Sequence, residues 1–363
     1  MLERIEKYLE ATTLIPALAG HEEKLAAYLR REFEACGLPV QTDALGNCMA
    51  RIEGTDPSAP VVMVFAHMDS LGFVVRYIEE DGFIRIERLG GIPEKVLPAT
   101  EIQIQTRSGD MIPGVIGVKA HHVTPPEEKY VVDKYTKLFV DIGAASRAEV
   151  LALGIDVGAP IVYKPKFQKL RGSRVLGSAL DDRGGCACLM ALAHTLTAGK
   201  RPSTVWLVGT VLEEYNLRGA MVAGRTVKPD IAVSLDGGGN ADTPDLAGAG
   251  QVRLGGGPVL GMYNFHGRGT LNGAIPHPAM VRLTEDTAKA LGMPLQRSAQ
   301  LGVLTDLAYV QLEGRGVMSV DLGFPIRYSH SPCEVVDLTD LERLTELVQR
   351  MLDRIDRNFD RSR

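Results

Sequence analysis

Residues 60–69 read PVVMVFAHMD, and this stretch decides the class of fold. Its first seven residues, 60–66, form a short apolar run that does not alternate with polar residues. Such a run is typical of a strand buried on both faces, as in a parallel or mixed sheet covered by helices. The run stops at His67, and Asp69 follows two residues later. The stretch therefore predicts a central strand that carries polar side chains at its carboxyl end.

The same association of a regular segment with ionisable side chains recurs along the chain. These further side chains are Glu213 and Glu214 after 203–212, Asp236 after 231–235, Asp181 and Asp182 before a helix at about 183–198, and His330 in the loop after 317–323. In open α/β sheets, functional groups collect beyond the carboxyl ends of the strands. We therefore expect these side chains to lie together at one edge of the sheet.

Residues 72–165 have a different character. Alternating patterns such as FVVRYI and FIRIERL are separated by turn signals, for example Asp-Gly at 81–82. This pattern predicts a small antiparallel sheet or barrel. The sequence thus predicts an α/β fold in which a mixed sheet is sandwiched by helices. Residues 1–71 and 166–363 would form this main domain, and 72–165 would form an inserted β-barrel-like domain.

Composition excludes several classes of partner. The chain has 363 residues, 45% of them hydrophobic and 23% charged, which is ordinary for a soluble globular protein. Its net charge of -5 gives no indication of nucleic acid or an anionic membrane as a partner. No apolar run is long enough for a transmembrane helix, and the first residues lack a signal-peptide core. Five cysteines without a CxxC pair indicate reduced thiols, so we expect a cytoplasmic protein.

Each ionisable group has an ordinary explanation when it is taken alone. Two aspartates before a helix usually cap it, and a single loop histidine is usually just exposed. Together they indicate more, because carboxylates clustered at one sheet edge repel each other unless a cation compensates them. Zinc accepts imidazole and carboxylate ligands, and two metal ions about 3.5–4 Å apart can share a bridging carboxylate. The pattern favours two divalent cations per chain, zinc first, with cobalt or manganese as alternatives.

Five segments make the interpretation specific. They are AHMDSLGF (66–73), GSALDDRGG (177–185), VGTVLEEYNLRGA (208–220), VSLDGG (233–238) and IRYSHSPCE (326–334). Together they resemble the signature segments of the tetrahedral (TET) aminopeptidases, which are glutamyl-aminopeptidase-like co-catalytic metallopeptidases. The resemblance runs nearly from end to end of the chain.

This resemblance implies a role for each residue of the predicted site. It implies that the metal ligands are His67, Asp181, Glu214, Asp236 and His330. Asp181 would bridge the two metals, His67 and Asp236 would complete one site, and Glu214 and His330 the other. Glu213 would be the general base, and Asp69 would orient His67 from behind, because a ligating imidazole needs its other nitrogen fixed. In related enzymes the bond between Asp181 and Asp182 is cis.

The chain departs from the family pattern at three places. Ser70 stands where relatives usually carry an acidic residue, and Tyr215-Asn216 stands where they usually carry Val-Gly. The segment LTDLA at 304–308 replaces the usual GGTDA. None of these changes removes a metal ligand. All three could alter the substrate pocket, so the preferred N-terminal residue stays open.

The function implied is release of N-terminal residues from short peptides by a two-metal aminopeptidase. The resemblance also implies a homo-oligomer, with residues 72–165 mediating dimers that build a hollow dodecamer. Two alternatives remain. The chain could be a two-metal amidohydrolase or deacylase of small N-acyl or amide substrates, or a non-catalytic assembly protein that kept the fold.

Overall fold

The structure is a computed structural model in which residues 1–266 and 273–363 are described. The α-helices among them, in chain order, are α1 (Leu2–Thr13), α2 (Glu23–Ala35), α3 (Arg147–Ala152), α4 (Leu180–Thr197), α5 (Gly219–Val227), α6 (Pro278–Ala290), α7 (Leu307–Val310) and α8 (Leu338–Leu352). None of the described helices combines the length and hydropathy that crossing a bilayer requires. The cytoplasmic location stays a prediction.

The strands divide into three groups along the chain. Before the insertion lie β1 (Val40–Thr42), β2 (Cys48–Ile52) and β3 (Val62–His67). Within it lie β4 (Gly72–Ile78), β5 (Ile84–Leu89), β6 (Glu101–Gln105), β7 (Met111–Ile116), β8 (Val140–Asp141) and β9 (Pro160–Tyr163). After it lie β10 (Phe167–Lys169), β11 (Arg174–Gly177), β12 (Val205–Thr210), β13 (Ile231–Gly239), β14 (Val259–Phe265), β15 (Gly273–Ala274), β16 (Gln296–Leu301), β17 (Met318–Ile326) and β18 (Glu334–Asp337).

A mixed sheet forms the centre of the molecule, in the order β1-β2-β12-β3-β13-β17-β14-β15, with β16 paired to β14. Strands β12, β3, β13 and β17 run parallel to their neighbours in that series. All six residues of β3 are buried, as its unbroken apolar run predicts. Val62 and Val64 belong to the core cluster that includes α4, whereas Met63 and Phe65 belong to the cluster that includes α5. Helices therefore cover both faces of the sheet.

The six strands β4 to β9 close into an antiparallel barrel in the order β4-β5-β8-β7-β6-β9. The barrel has its own core, which includes Phe73, Ile86, Ile104 and Ile161. Its strands all fall between residues 72 and 163. The predicted fold class, a helix-sandwiched mixed sheet with an inserted barrel, is confirmed. The domain boundaries at 71–72 and 165–166 stay predictions.

Candidate active site

Parallel pairing brings the ends of three central strands to one edge of the sheet. Thr210 at the end of β12 lies in register with His67 at the end of β3, and β13 flanks β3 on the other side. The His67 Nε2 atom lies 3.2 Å from Asp181 Oδ1, 3.9 Å from Asp236 Oδ1 and 4.0 Å from Glu213 Oε2. These four side chains are nearly or fully buried. The predicted convergence of side chains at the carboxyl ends is therefore present.

A second imidazole approaches Asp181 from the opposite side. His330 Nε2 lies 3.8 Å from Asp181 Oδ2 and 3.9 Å from Glu214 Oε1. The His330 backbone has a φ of +66°, in the left-handed region that non-glycine residues rarely adopt. A hydrogen bond from the His330 N–H to Glu334 Oε1, 2.7 Å long, holds this turn. The two histidines therefore face the two different oxygens of one carboxylate.

In each imidazole, the Nδ1 atom contacts a backbone carbonyl oxygen. His67 Nδ1 lies 3.0 Å from the carbonyl oxygen of Asp69, and His330 Nδ1 lies 2.7 Å from that of Gly91. A carbonyl can only accept, so each Nδ1 must carry the proton, and in a neutral ring Nε2 then presents a lone pair. In that neutral form each Nε2 lone pair is directed at carboxylate oxygens, which is the arrangement of metal-ligating histidines. This donor set fits a pair of divalent cations.

Asp69 supports the site in two ways. Its carbonyl, rather than its carboxylate, makes the short contact with His67, because Asp69 Oδ1 is 3.7 Å from His67 Nδ1. Its carboxylate accepts the backbone N–H groups of Glu213, at 3.0 Å, and of Glu214, at 2.9 Å. Asp69 is completely buried. It thus fixes the backbone that carries both glutamates as well as the ring of His67.

Asp182 and Glu334 hold the backbone around Asp181. The peptide bond between Asp181 and Asp182 is cis. Asp182 accepts the N–H of His67 at 3.2 Å and that of Gly185 at 2.8 Å, so it caps the regular part of α4 and also ties that helix to β3. Glu334 accepts the N–H of Asp181 at 3.1 Å. Sequence reasoning assigned no role to Glu334, although it ends one of the quoted segments.

Acidic side chains outnumber basic ones at this edge of the sheet. Burial, reinforced by Asp181, raises the pKa of Glu214 to about 7 even though His330 opposes the shift. Burial also raises the pKa of Glu213 and that of Asp236 well above their usual values. Burial lowers the pKa of His67, but Glu213 and the other carboxylates outweigh this and raise it well above its ordinary value. When no cation is bound, the carboxyl groups of Glu213 and Asp236 therefore hold protons, and the histidines are the only basic side chains among the ligand groups.

Two groups of ligand atoms lie close enough to hold an ion. One group is His67, Asp182 and Asp236, and the other is His67, Glu213 and Glu214, each with its atoms within 4.8 Å of one another. Both groups overlap the predicted ligand set, and they add Asp182 and Glu213 to it. Asp182 already accepts two backbone N–H groups, one on each oxygen. The structure thus brings the five predicted ligands together, and their assignment as ligands stays a prediction.

Comparison with known proteins identifies the family. The family described as M42 glutamyl aminopeptidase matches residues 46–347. The chain belongs to this family. It is 40% identical over 325 residues to SgcX of Escherichia coli (strain K12), covering 90% of this chain and 87% of SgcX. As a member of the M42 family it is a hydrolase of peptide bonds, which sets aside the alternative of a non-catalytic assembly protein.

Solved structures agree with the M42 assignment. The aminopeptidase APDkam598 from the archaeon Desulfurococcus kamchatkensis superposes with a TM-score of 0.92 at 30% identity, over 99% of this chain and 97% of its own. The TET1 peptidase of Pyrococcus horikoshii, which can assemble into a tetrahedron or a large octahedral shell, gives 0.85 at 28% identity. That match covers 97% of this chain and all of the TET1 chain (100%). The resemblance to TET aminopeptidases is confirmed.

The three departures from the family pattern surround the M42 site without entering the ligand set. Ser70 is buried and donates to the carbonyl of Ala17 at 3.0 Å. Tyr215 is 46% exposed, with the Arg218 guanidinium over its ring. Asp306, within 304–308, is buried and accepts a 2.8 Å hydrogen bond from Thr210 at the end of β12. The 304–308 segment is therefore anchored beside the strand that leads to Glu213.

Proposed function

We propose that the chain is a two-metal aminopeptidase that releases N-terminal residues from short peptides. The observation that carries the proposal is the pair of imidazoles whose Nε2 atoms face opposite oxygens of Asp181 while their Nδ1 atoms are held by backbone carbonyls. Two cations would fit there. His67 and Asp236 would hold one cation, Glu214 and His330 the other, and Asp181 would be shared. Zinc suits these nitrogen and oxygen donors, with cobalt or manganese as alternatives.

The chemistry that the metals supply when bound is polarisation of the scissile carbonyl and depression of the pKa of a water towards about 7. Glu213 is suited to move the proton. Its carboxylate is buried and accepts no hydrogen bond from any described residue, while its backbone is fixed by Asp69. Glu213 Oε2 would accept the proton of the attacking water and then give it to the leaving amine.

The carboxylates that surround the cations would recognise the free amine of the substrate. A free α-ammonium is attracted to the field of Glu213, Glu214 and Asp236. A blocked N-terminus loses that attraction, and it must bury a neutral amide without a matching partner. The proposal therefore includes a requirement for a free N-terminus, which distinguishes an aminopeptidase from an amidohydrolase.

Timed digestion of an unfolded peptide with a free N-terminus tests this proposal. We expect mass spectrometry to show a ladder that shortens one residue at a time from the N-terminus. The N-acetylated form of the same peptide serves as the matched control, and it should be cut far more slowly. Internal fragments, or equal rates on both peptides, would contradict amine recognition. They would favour the two-metal amidohydrolase of small N-acyl or amide substrates.

We further propose that the chain assembles through residues 72–165 into dimers and then into a dodecamer. The insertion exposes large apolar side chains, among them Val123 (70% exposed), Tyr130 (95%) and Val131 (63%). Apolar surface of this kind usually marks a contact with another chain. The tetrahedron or octahedral shell of the TET1 peptidase supports assembly of this chain as well.

Light scattering on the eluting protein gives the mass of the assembly. A dodecamer of chains of 39.3 kDa has twelve times that mass, about 470 kDa. We expect this mass at micromolar concentration, with dimers as the smaller species on dilution. A protein that stays monomeric at micromolar concentration would refute the assembly proposal, and it would leave the chemistry of the site untouched.

A further inference from the structure

A recess opens beside the predicted ligand Asp236, on the side away from His330. Strands β13, β14, β16 and β17 contribute its walls, together with residues 303 and 305. The recess encloses about 370 Å³ of space that is not filled by protein atoms, its open mouth included.

The register of the strands places one acidic residue below the mouth. Asp236 on β13 pairs with Gly323 on β17, and Ser234 pairs with Asp321. Residues in register on adjacent strands, and residues two apart on one strand, share a face of the sheet. Asp321 therefore lies on the same face as Asp236, about 7 Å further along the strand direction.

The next strands leave room above Asp321. Gly261 on β14 pairs with Asp321, and Ser298 on β16 pairs with Gly261. A Cβ atom at Gly261 would lie 3.1 Å from the Asp321 Cβ, which is closer than side chains normally pack. The absence of a side chain at Gly261 thus keeps a space open over the carboxyl group of Asp321.

Only one of the two carboxyl oxygens of Asp321 accepts hydrogen bonds from the described residues. Its Oδ2 atom accepts Asn264 Nδ2 at 2.8 Å and Thr305 Oγ1 at 3.2 Å. No described donor bonds to its Oδ1 atom, although the residue is only 8% exposed. No Lys, Arg or His is among the described residues that line the recess. Burial raises the pKa of Asp321 to about 6, so the group is mostly an anion at neutral pH.

We propose that this recess receives the side chain of the substrate's N-terminal residue, and that Asp321 selects lysine or arginine there. The inference rests on the proposed aminopeptidase function. Asp321 lies about 7 Å beyond Asp236 along the strand direction. The four methylenes of a lysine side chain that enters beside Asp236 can span this distance. An ammonium or guanidinium would pair with Oδ1, whereas a carboxylate would be repelled. An uncharged side chain would leave the buried anion without a partner.

A second recess adjoins the site from the other side and would select differently. It lies against Asp181, Glu214 and His330, and its walls include Ile15, Leu71 and the buried guanidinium of Arg183. A side chain bound there would be apolar, because the carboxyl groups of Asp181, Glu214 and Glu334 also line this recess. The enzyme's preference among N-terminal residues would therefore show which recess receives their side chain.

Aminoacyl p-nitroanilides with lysyl, norleucyl and glutamyl groups provide the test, because norleucine matches the lysine stem without its charge. For the metal-reconstituted enzyme we expect kcat/KM to be at least about tenfold higher for lysyl than for norleucyl, with glutamyl lowest. Asp321→Asn should bring the lysyl-to-norleucyl ratio of kcat/KM close to one, because the charge that favours lysine and disfavours norleucine is removed. Asp340→Asn is the matched control, because Asp340 is another buried acid that accepts two backbone N–H groups. It should keep the ratio.

A second variant covers the case in which Asp321→Asn does not fold. Ser298→Lys places a cation on the peripheral strand β16, across from Asp321, and should reduce the lysyl preference and raise the glutamyl rate. A norleucyl rate equal to or above the lysyl rate in the unmodified enzyme would overturn the assignment, as would an unchanged ratio in a folded variant. Norleucyl hydrolysis would then still uphold the aminopeptidase proposal. Failure to release any free N-terminal residue would overturn both.

Discussion

Replacement of Glu213 by glutamine should leave the metal site filled and lower kcat by a factor of about 10²–10⁴, the range that general-base catalysis contributes. The glutamine side chain has almost the same shape, and no described residue donates a hydrogen bond to the carboxylate that it replaces. The loss would therefore come from the missing proton acceptor. Metal analysis of the purified variant, together with kcat on a peptide substrate, measures both parts of this prediction.

Glu214→Gln provides the matched control, because the two residues are adjacent and Asp69 binds both of their backbone N–H groups. Glu214 Oε1 faces His330 Nε2 at 3.9 Å, so we propose it as a ligand. Its replacement should lower metal occupancy to about one ion per chain, and activity should partly return at high metal concentration. The reverse pattern, with occupancy lost at Glu213 and kept at Glu214, would mean that the roles of base and ligand are exchanged.

The position of the main site was predictable because a simple rule connects it to the sequence. The unbroken apolar runs before His67, Glu213 and Asp236 predict parallel strands, and parallel strands bring their carboxyl ends to one edge. The order of the strands was not predictable in this way. It depends on which strands pair, and the sequence pattern of β3 fits any central position.

Groups that act through the backbone escaped the sequence analysis. Glu334 supports Asp181 and His330 from the first residue of β18, where no apolar run precedes it. Asp69 was expected to orient His67, and its carbonyl rather than its carboxylate makes the short contact. Any residue has a carbonyl, so a sequence motif gives no sign of such a contact. Asp321 lies within a strand rather than at its end, and only the register places it below Asp236.

Removal of the metals should abolish hydrolysis, and zinc, cobalt or manganese should restore it. The five proposed ligands lie close together around Asp181. Among the described residues, the two histidines are the only basic side chains that face the carboxylates of these ligands. The test is residual activity after prolonged dialysis against excess chelator, with a mock-dialysed sample as control. Full activity after complete removal of metal would overturn the two-metal proposal.

The metal-free protein should also lose stability as the pH rises from about 5 to 8. The pKa of Glu214 is raised to about 7 and that of Glu334 to about 8, mainly by burial, so the folded state keeps protons that the unfolded state has already released. The free energy of unfolding then falls with pH between the unfolded value, about 4.3, and these raised values.

The histidines shift the stability of the metal-free protein in the same direction. The pKa of His330 is also raised, by Glu214 and Asp181 against the opposing effect of burial, so its contribution is present at low pH and lost as the pH rises. Bound cations would replace those protons, so the loaded protein would not share this loss of stability. Denaturant unfolding at pH 5, 6.5 and 8, with and without zinc, should show a midpoint that falls with pH for the metal-free protein and does not fall for the loaded protein. A midpoint that rises with pH in the metal-free protein would show that these carboxylates are not held in their protonated form.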